Sequence, residues 1–118
     1  MAKRRYLSLS LVVAAAPGLA WASPVDVCRD PVDNAIFNEI MAKHDRCLLE
    51  EATRPTATLT VRQEVDRIFK ECSKMHVEMA EFGKTCAAPA VWRIAIDAIN
   101  EADLKFVSQK VVQLRRGE

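Results

Sequence analysis

The chain has 118 residues, four cysteines and a formal net charge of +1. Residues 1–22 contain three of the 17 basic residues and none of the 16 acidic residues, so the remaining 96 residues carry a net charge of −2. That weak negative charge disfavours a nucleic-acid-binding protein, and the ordinary apolar content disfavours a disordered chain. Only two glycines, Gly83 and Gly117, follow residue 22, so we expect no glycine-rich phosphate-binding loop.

The N-terminus has the pattern of a cleaved export signal. Basic residues at positions 3–5 precede an apolar run over residues 7–20, and Ala-Trp-Ala at 20–22 has the small-x-small form of a cleavage site. The apolar run is too short, and too interrupted by Pro17 and Gly18, to anchor the chain in a bilayer. We therefore expect a signal peptide that is cleaved after residue 22.

The expected mature domain covers residues 23–118, and its cysteines indicate its compartment. Cys28 lies six residues beyond the expected cleavage point, too far to be a lipidated N-terminal cysteine, so we expect no stable membrane anchor. An even number of cysteines in a small exported domain usually forms disulfides. The short, alanine-rich signal is typical of bacteria, and we expect a soluble periplasmic or secreted protein.

The first helix begins with a strong capping signal. Asp30 is a good N-cap, and Pro31 suits the first helical position, where its missing N–H is not needed. Apolar residues then recur at helical spacing until Pro55 interrupts the pattern. The sequence predicts a helix from Pro31 to Thr53.

The second helix is predicted from a capping box and a heptad pattern. Thr60 and Gln63 have the spacing in which each side chain caps the backbone N–H of the other. Apolar residues follow from Val61 to Phe82 in alternating steps of four and three, and Gly83 is a natural stop. We predict one helix over these residues.

A third helix begins near Pro89 and continues toward Leu114. Neither strand-like alternation nor an internal repeat competes with this interpretation. Short connections force neighbouring helices to run antiparallel. The sequence therefore predicts an all-α fold, a small three-helix antiparallel bundle.

The helical interpretation selects one disulfide pairing of the three that four cysteines allow. In an antiparallel pair of helices, Cys28 and Cys86 lie at nearly the same height, and Cys47 and Cys72 differ by roughly 9 Å. Cys28 and Cys47 are on the order of 28 Å apart along the first helix, whereas a disulfide needs Cα atoms within about 7 Å. The crossed pairing is displaced by about 20–30 Å. We predict the nested bridges Cys28–Cys86 and Cys47–Cys72.

Sulfur and imidazole side chains form the sharpest candidate metal site. They lie on one strip of the second helix and at steps of three on the first: Cys72, Met75, His76 and Met79, and Met41, His44 and Cys47. Such donors suit Cu(I), and two cysteines with two histidines could bind zinc. However, a disulfide would remove both thiolates, and methionine is common in cores. Metal binding is therefore the alternative hypothesis, and we expect no bound cofactor.

The third helix carries a candidate partner-binding strip in its second half. This strip is turned by roughly a right angle from the apolar strip of the first half. Either the helix bends near Asp103 so that both strips pack inside, or the second strip crosses the end of the hairpin, or it contacts a partner. We expect a partner-facing strip, with Lys110, Arg115 and Arg116 at its polar edge. Its members are Leu104, Val107, Val111 and Leu114.

The sequence is compatible with more than one class of function. No motif carries a catalytic mechanism, so we do not expect an enzyme. The leading hypothesis is an exported, non-catalytic helical binding protein that acts through a protein–protein surface in the cell envelope. Examples are an inhibitor, an immunity protein or an accessory factor, bound to an envelope protein or to a second copy. The alternative is a periplasmic copper or zinc binding protein.

Overall fold

A computed structural model describes residues 26–54, 56 and 58–117, and the predicted signal peptide lies outside them. The described residues form helices and no strand, which confirms the predicted all-α class. Across this part of the chain, no helix combines the length and apolarity that crossing a bilayer requires. The helices are α1 (Pro31–Ala52), α2 (Val61–Glu71), α3 (Ser73–Cys86) and α4 (Pro89–Arg115).

The predicted helix starts are confirmed by their hydrogen bonds. The Asp30 carboxylate accepts from the backbone N–H of Val32 at 2.7 Å, and Pro31 occupies the first turn of α1. At the start of α2, the Thr60 hydroxyl accepts from the Gln63 backbone N–H at 3.1 Å. The Gln63 side chain accepts in return from the Thr60 N–H at 2.9 Å. Each cap stabilises its helix by about 1 kcal/mol.

The second predicted helix is interrupted at Cys72, where the backbone leaves helical geometry with φ −100° and ψ 11°. The first segment, α2, packs mainly against α4, whereas α3 packs mainly against α1. Because of the interruption, the two segments pack against different helices. The described residues therefore form four helices instead of three. The predicted stop at Gly83 is also wrong, because α3 continues to Cys86.

Two nested disulfides fix the direction of the helices, and both bridges were predicted. Cys28 is bonded to Cys86 with the Cα atoms 4.8 Å apart, and Cys47 is bonded to Cys72 with the Cα atoms 5.9 Å apart. The first bridge joins the segment just before α1 to the last residue of α3, and the second joins the later part of α1 to the residue just before α3. The two helices therefore run antiparallel.

The buried side chains form two separate apolar clusters, and each contains a disulfide. The Cys28–Cys86 bridge belongs to the first cluster, where the rings of Phe37 and Trp92 meet edge to face at 5.9 Å. The second cluster surrounds Cys72 at the other end of the bundle. Buried members of the first are Val27, Cys28, Phe37, Met41, Met79, Cys86 and Ala87. Those of the second are Leu48, Ala52, Val65, Ile68, Cys72, Val107 and Val111.

Gly83 lies inside α3 because two aromatic rings occupy the space beside it. A Cβ atom at this position would lie 2.3 Å from Cζ3 of Trp92 and 2.9 Å from Cε1 of Phe37. Both distances are far below van der Waals contact, and the two rings already pack against each other. The glycine therefore permits close approach of α1, α3 and α4.

Replacing Gly83 by alanine should destabilise the protein by about 1–3 kcal/mol, because overpacking a core costs more than the helix propensity that alanine adds. Thermal unfolding followed by circular dichroism measures the change. The neighbouring substitution Lys84→Ala, at an exposed position of the same helix, is the control and should leave the melting temperature nearly unchanged. A higher melting temperature for Gly83→Ala would contradict the close packing.

Candidate functional site

A polar layer separates the two apolar clusters. Along α1, the buried apolar residues before His44 belong to the first cluster and those after it belong to the second. The same change occurs across His76 on α3 and across Asp103 on α4. On each helix the layer is flanked by one residue of the first cluster and one of the second. These pairs are Met41 and Leu48 for α1, Met79 and Cys72 for α3, and Ile99 and Val107 for α4.

The centre of the layer is a buried cluster of one imidazole and two carboxyl groups, which we call the His/Asp cluster: His44, Asp45 and Asp103. His44 is 0% exposed, and its Nδ1 lies 3.6 Å from Oδ2 of Asp103 and 4.0 Å from Oδ1 of Asp45. Both distances exceed hydrogen-bond length. Among the described residues, neither ring nitrogen of His44 has a hydrogen-bond partner, and neither does Oδ2 of either aspartate.

His76 and Asn100 lie on the outer side of the His/Asp cluster. The His76 ring is half-buried, and its centroid is 5.4 Å from that of His44. Its Nε2 lies 3.0 Å from Oδ1 of Asn100. Because a carbonyl oxygen only accepts, Nε2 carries the proton, which leaves the lone pair of a neutral His76 on Nδ1. This second imidazole therefore lies between the buried cluster and the surface.

Burial shifts the pKa of every member of the His/Asp cluster in the direction that favours the neutral form of that side chain. Desolvation lowers the pKa of His44 to about 4, and the charge of His76 adds to this effect. Desolvation raises the pKa of Asp45 to about 8, with a further contribution from the charge of Asp103. The pKa of Asp103 rises to about 7 through burial, although the charge of His76 opposes the rise. At neutral pH the His44 imidazole is thus neutral and Asp45 is mostly protonated, whereas Asp103 lies near the midpoint of its titration.

A third buried acid, Glu64, provides a contrast because its carboxylate oxygens have hydrogen-bond partners. Its Oε2 accepts from Nη2 of Arg67 at 2.6 Å, and Thr56 donates to the other oxygen. Arg67 also donates to Oε1 of Glu51 at 2.9 Å. Burial alone would raise the pKa of Glu64, but the hydrogen bonds from Arg67 and Thr56 outweigh it and lower that pKa. Glu64 is therefore paired through both oxygens, whereas four polar atoms of the His/Asp cluster have no hydrogen-bond partner among the described residues.

The structure brings only part of the predicted metal strip together. His44 and His76 approach each other, but Cys47 and Cys72 are bonded to one another, so neither thiolate is free. Met79 is fully buried in the first apolar cluster. The disulfide therefore removes the two sulfur anions from the predicted Cys/Met/His strip.

Sequence reasoning missed the two aspartates of the cluster. One signal for Asp103 was its place on the buried face of α4, four residues from both Ile99 and Val107. An acid between two apolar residues at that spacing points into the core. Asp45 follows His44 directly, and nothing in the sequence separates it from the many exposed acids.

The expected partner-facing strip on α4 is wrong for two of its four members. Val107 is 0% exposed and Val111 is 3% exposed, and both belong to the second apolar cluster. Leu104 and Leu114 are exposed, so the strip is divided between core and surface. The reason is the interruption at Cys72, which turns α2 toward α4 and covers the strip. Among its expected polar edge residues, Arg115 donates to the carbonyl oxygen of Leu59.

Comparison with protein-family models, with curated proteins and with solved structures gives no match. Function therefore has to follow from the geometry of the chain itself.

Substituting Val107 by aspartate should destabilise the domain by about 4 kcal/mol or more, because an unpaired charge would enter a closed apolar cluster. The loss of the cooperative transition in urea unfolding measures this effect. Leu104→Asp is the matched control on the exposed side of the same helix and should change stability by no more than about 0.5 kcal/mol. Equal effects of both substitutions would show that Val107 is not a core residue.

The pKa shifts of the two carboxyl groups predict a fall in stability as the pH rises. Asp45 has a pKa of about 8 in the folded chain and an ordinary value of 3.8, so its contribution is complete below about pH 4 and is lost as the pH approaches 8. His44 acts in the opposite direction, but only below its ordinary value of 6.5. Between pH 6.5 and 8, the Asp45 contribution to the free energy of unfolding should fall by about 2 kcal/mol.

Chemical unfolding in the presence of a chelator, repeated across this pH range, tests the prediction. Asp45→Asn keeps the shape of the side chain and removes its titration, so the variant should lose less stability than the wild type between pH 6.5 and 8. Asp97→Asn, at an exposed position of α4, should follow the wild type. If the Asp45 variant and the wild type showed the same pH dependence, the assigned pKa would be wrong.

Proposed function

We propose that the chain is a non-catalytic helical binding protein of the cell envelope that acts through a protein–protein surface, as an inhibitor, an immunity protein or an accessory factor does. The two disulfides are typical of a protein that folds in an oxidising compartment. They support the exported location that the N-terminal pattern predicts. A bundle held at both ends also loses little conformational freedom on binding.

The observation that carries this proposal is a set of exposed apolar residues at one end of the bundle. They lie on the first two turns of α1 and α4, whose starts are held together by the contact between Phe37 and Trp92. Ile94 is 74% exposed and Val32 is 68% exposed. Over residues 89–96 the only charged side chain is Arg93. We call this group the end set: Val32, Ile36, Val91 and Ile94.

The end set is a better candidate contact surface than the strip inferred on α4. Single exposed apolar residues are normal on any protein, whereas several on adjoining helix turns are typical of a contact surface. Leu104 and Leu114 are exposed as well, but Val107 and Val111 between them are buried. The proposed partner is a protein with a complementary apolar surface, or a second copy of the chain.

Site-specific photo-crosslinking in the native cell tests the proposal. A photoreactive amino acid at position 94 should yield a defined covalent adduct in the envelope fraction, and the same residue at position 77 should not. Val77 is the matched control because it is an exposed valine on α3, outside the end set. An adduct of twice the chain mass would identify self-association.

The substitution Ile94→Asp should weaken partner capture by at least about tenfold, since central apolar contacts contribute most of the binding energy. Val77→Asp should leave capture unchanged. Equal crosslinking at positions 94 and 77, or full capture by the Ile94 variant, would argue against the end set as the binding surface.

A further inference from the structure

The His/Asp cluster has the features of a site that is built for a ligand, independently of any protein-binding surface. Four polar atoms of His44, Asp45 and Asp103 lie buried without a hydrogen-bond partner among the described residues. Each unpaired buried polar group destabilises the folded state, and several together are costly for a domain of this size. The fully paired Glu64 shows that this fold can satisfy a buried acid. A missing partner for the His/Asp cluster therefore needs an explanation.

The spacing of the donor atoms fits a metal ion better than it fits direct hydrogen bonds. Ligands at zinc lie about 2.0–2.2 Å from the ion, so two of them at a tetrahedral angle are about 3.4 Å apart. The distances from Nδ1 of His44 to Oδ2 of Asp103 and to Oδ1 of Asp45 are 3.6 and 4.0 Å. One donor atom from each of the three side chains lies within 4.8 Å of the others. Small side-chain adjustments would close this set around one ion.

We propose that His44, Asp45 and Asp103 bind a divalent transition-metal ion of the zinc class at the centre of the bundle. Imidazole nitrogen and carboxylate oxygen are donors that suit zinc and its neighbours. A calcium ion prefers six to eight oxygen ligands and magnesium retains several waters, whereas this buried polar layer offers one imidazole and two carboxyl groups. The site differs from the Cys/Met/His strip because it uses no sulfur and leaves both disulfides intact.

His76 extends the site toward the surface. Its ring lies beside that of His44, and its Nε2–H is donated to Asn100. Histidine ligands to metals commonly donate their second ring N–H to a carbonyl or carboxylate oxygen, which fixes the tautomer. His76 lies beside the three donors on the outer side of the site, and the metal ligands that we assign are His44, Asp45 and Asp103 alone.

Zinc binding to the oxidised full chain, prepared without a histidine tag and stripped with a chelator, tests the proposal. Isothermal titration at neutral pH should show one ion per chain, and the ion should raise the melting temperature. The double substitution Asp45→Asn and Asp103→Asn keeps the size of both side chains and removes two anionic donors. It should weaken zinc affinity by at least about tenfold, as the loss of even an outer-shell partner does.

One control variant and a second measurement make each outcome decisive. Asp97→Asn removes an exposed acid from α4 and should bind zinc as the wild type does. If the wild type binds no zinc, or if the double variant retains full affinity with normal helicity, the proposal is wrong. If the double variant does not fold, cobalt(II) titration of the wild type decides instead. A nuclear magnetic resonance shift of the His44 ring is then expected, and a shift confined to His76 would overturn the proposal.

Discussion

The burial of His44, Asp45 and Asp103 constrains the packing of every helix around them. The three side chains must lie at the same height in the bundle. If one helix moved along its axis by one turn, about 5.4 Å, its polar side chain would lie against apolar neighbours. An uncompensated buried charge costs several kcal/mol, which a small domain cannot absorb. The neutral forms that burial favours reduce this cost without removing it. The polar layer therefore selects one alignment of α1, α3 and α4.

The two disulfides fix that alignment covalently. Cys28–Cys86 lies in the cluster on one side of the layer and Cys47–Cys72 borders the cluster on the other. In chain-entropy models, loops of this size stabilise the folded state by roughly 3–4 kcal/mol per bridge. That contribution is comparable to the cost of several unpaired polar groups. The bridges thus let the fold retain a layer that its small apolar clusters alone would support poorly.

Local signals in the sequence predict much of this architecture, and contacts between distant residues account for the differences. The caps at Asp30 and Thr60 act over four residues, so the helix starts are readable without tertiary structure. The nested pairing follows from the helix lengths together with the antiparallel direction that short connections impose. Gly83, by contrast, has the local chemistry of a helix stop, and its actual role depends on Trp92 in the next helix and on Phe37, which is distant in sequence. The burial of Val107 likewise depends on the break between α2 and α3 at Cys72. No side chain caps the start of α3 there, so the sequence does not predict the break.

The distances within the polar layer distinguish two reasons for burying an imidazole and two carboxyl groups, which are helix alignment and ligand binding. A buried polar layer that serves only to align helices works best when its members hydrogen-bond to one another, because direct bonds recover the desolvation cost. His44 instead lies 3.6 and 4.0 Å from the nearest oxygens of Asp103 and Asp45. Those gaps are too long for hydrogen bonds and close to the spacing of donors around a shared cation. Alignment alone would favour closer contact, whereas a cation would need the separation that the structure shows.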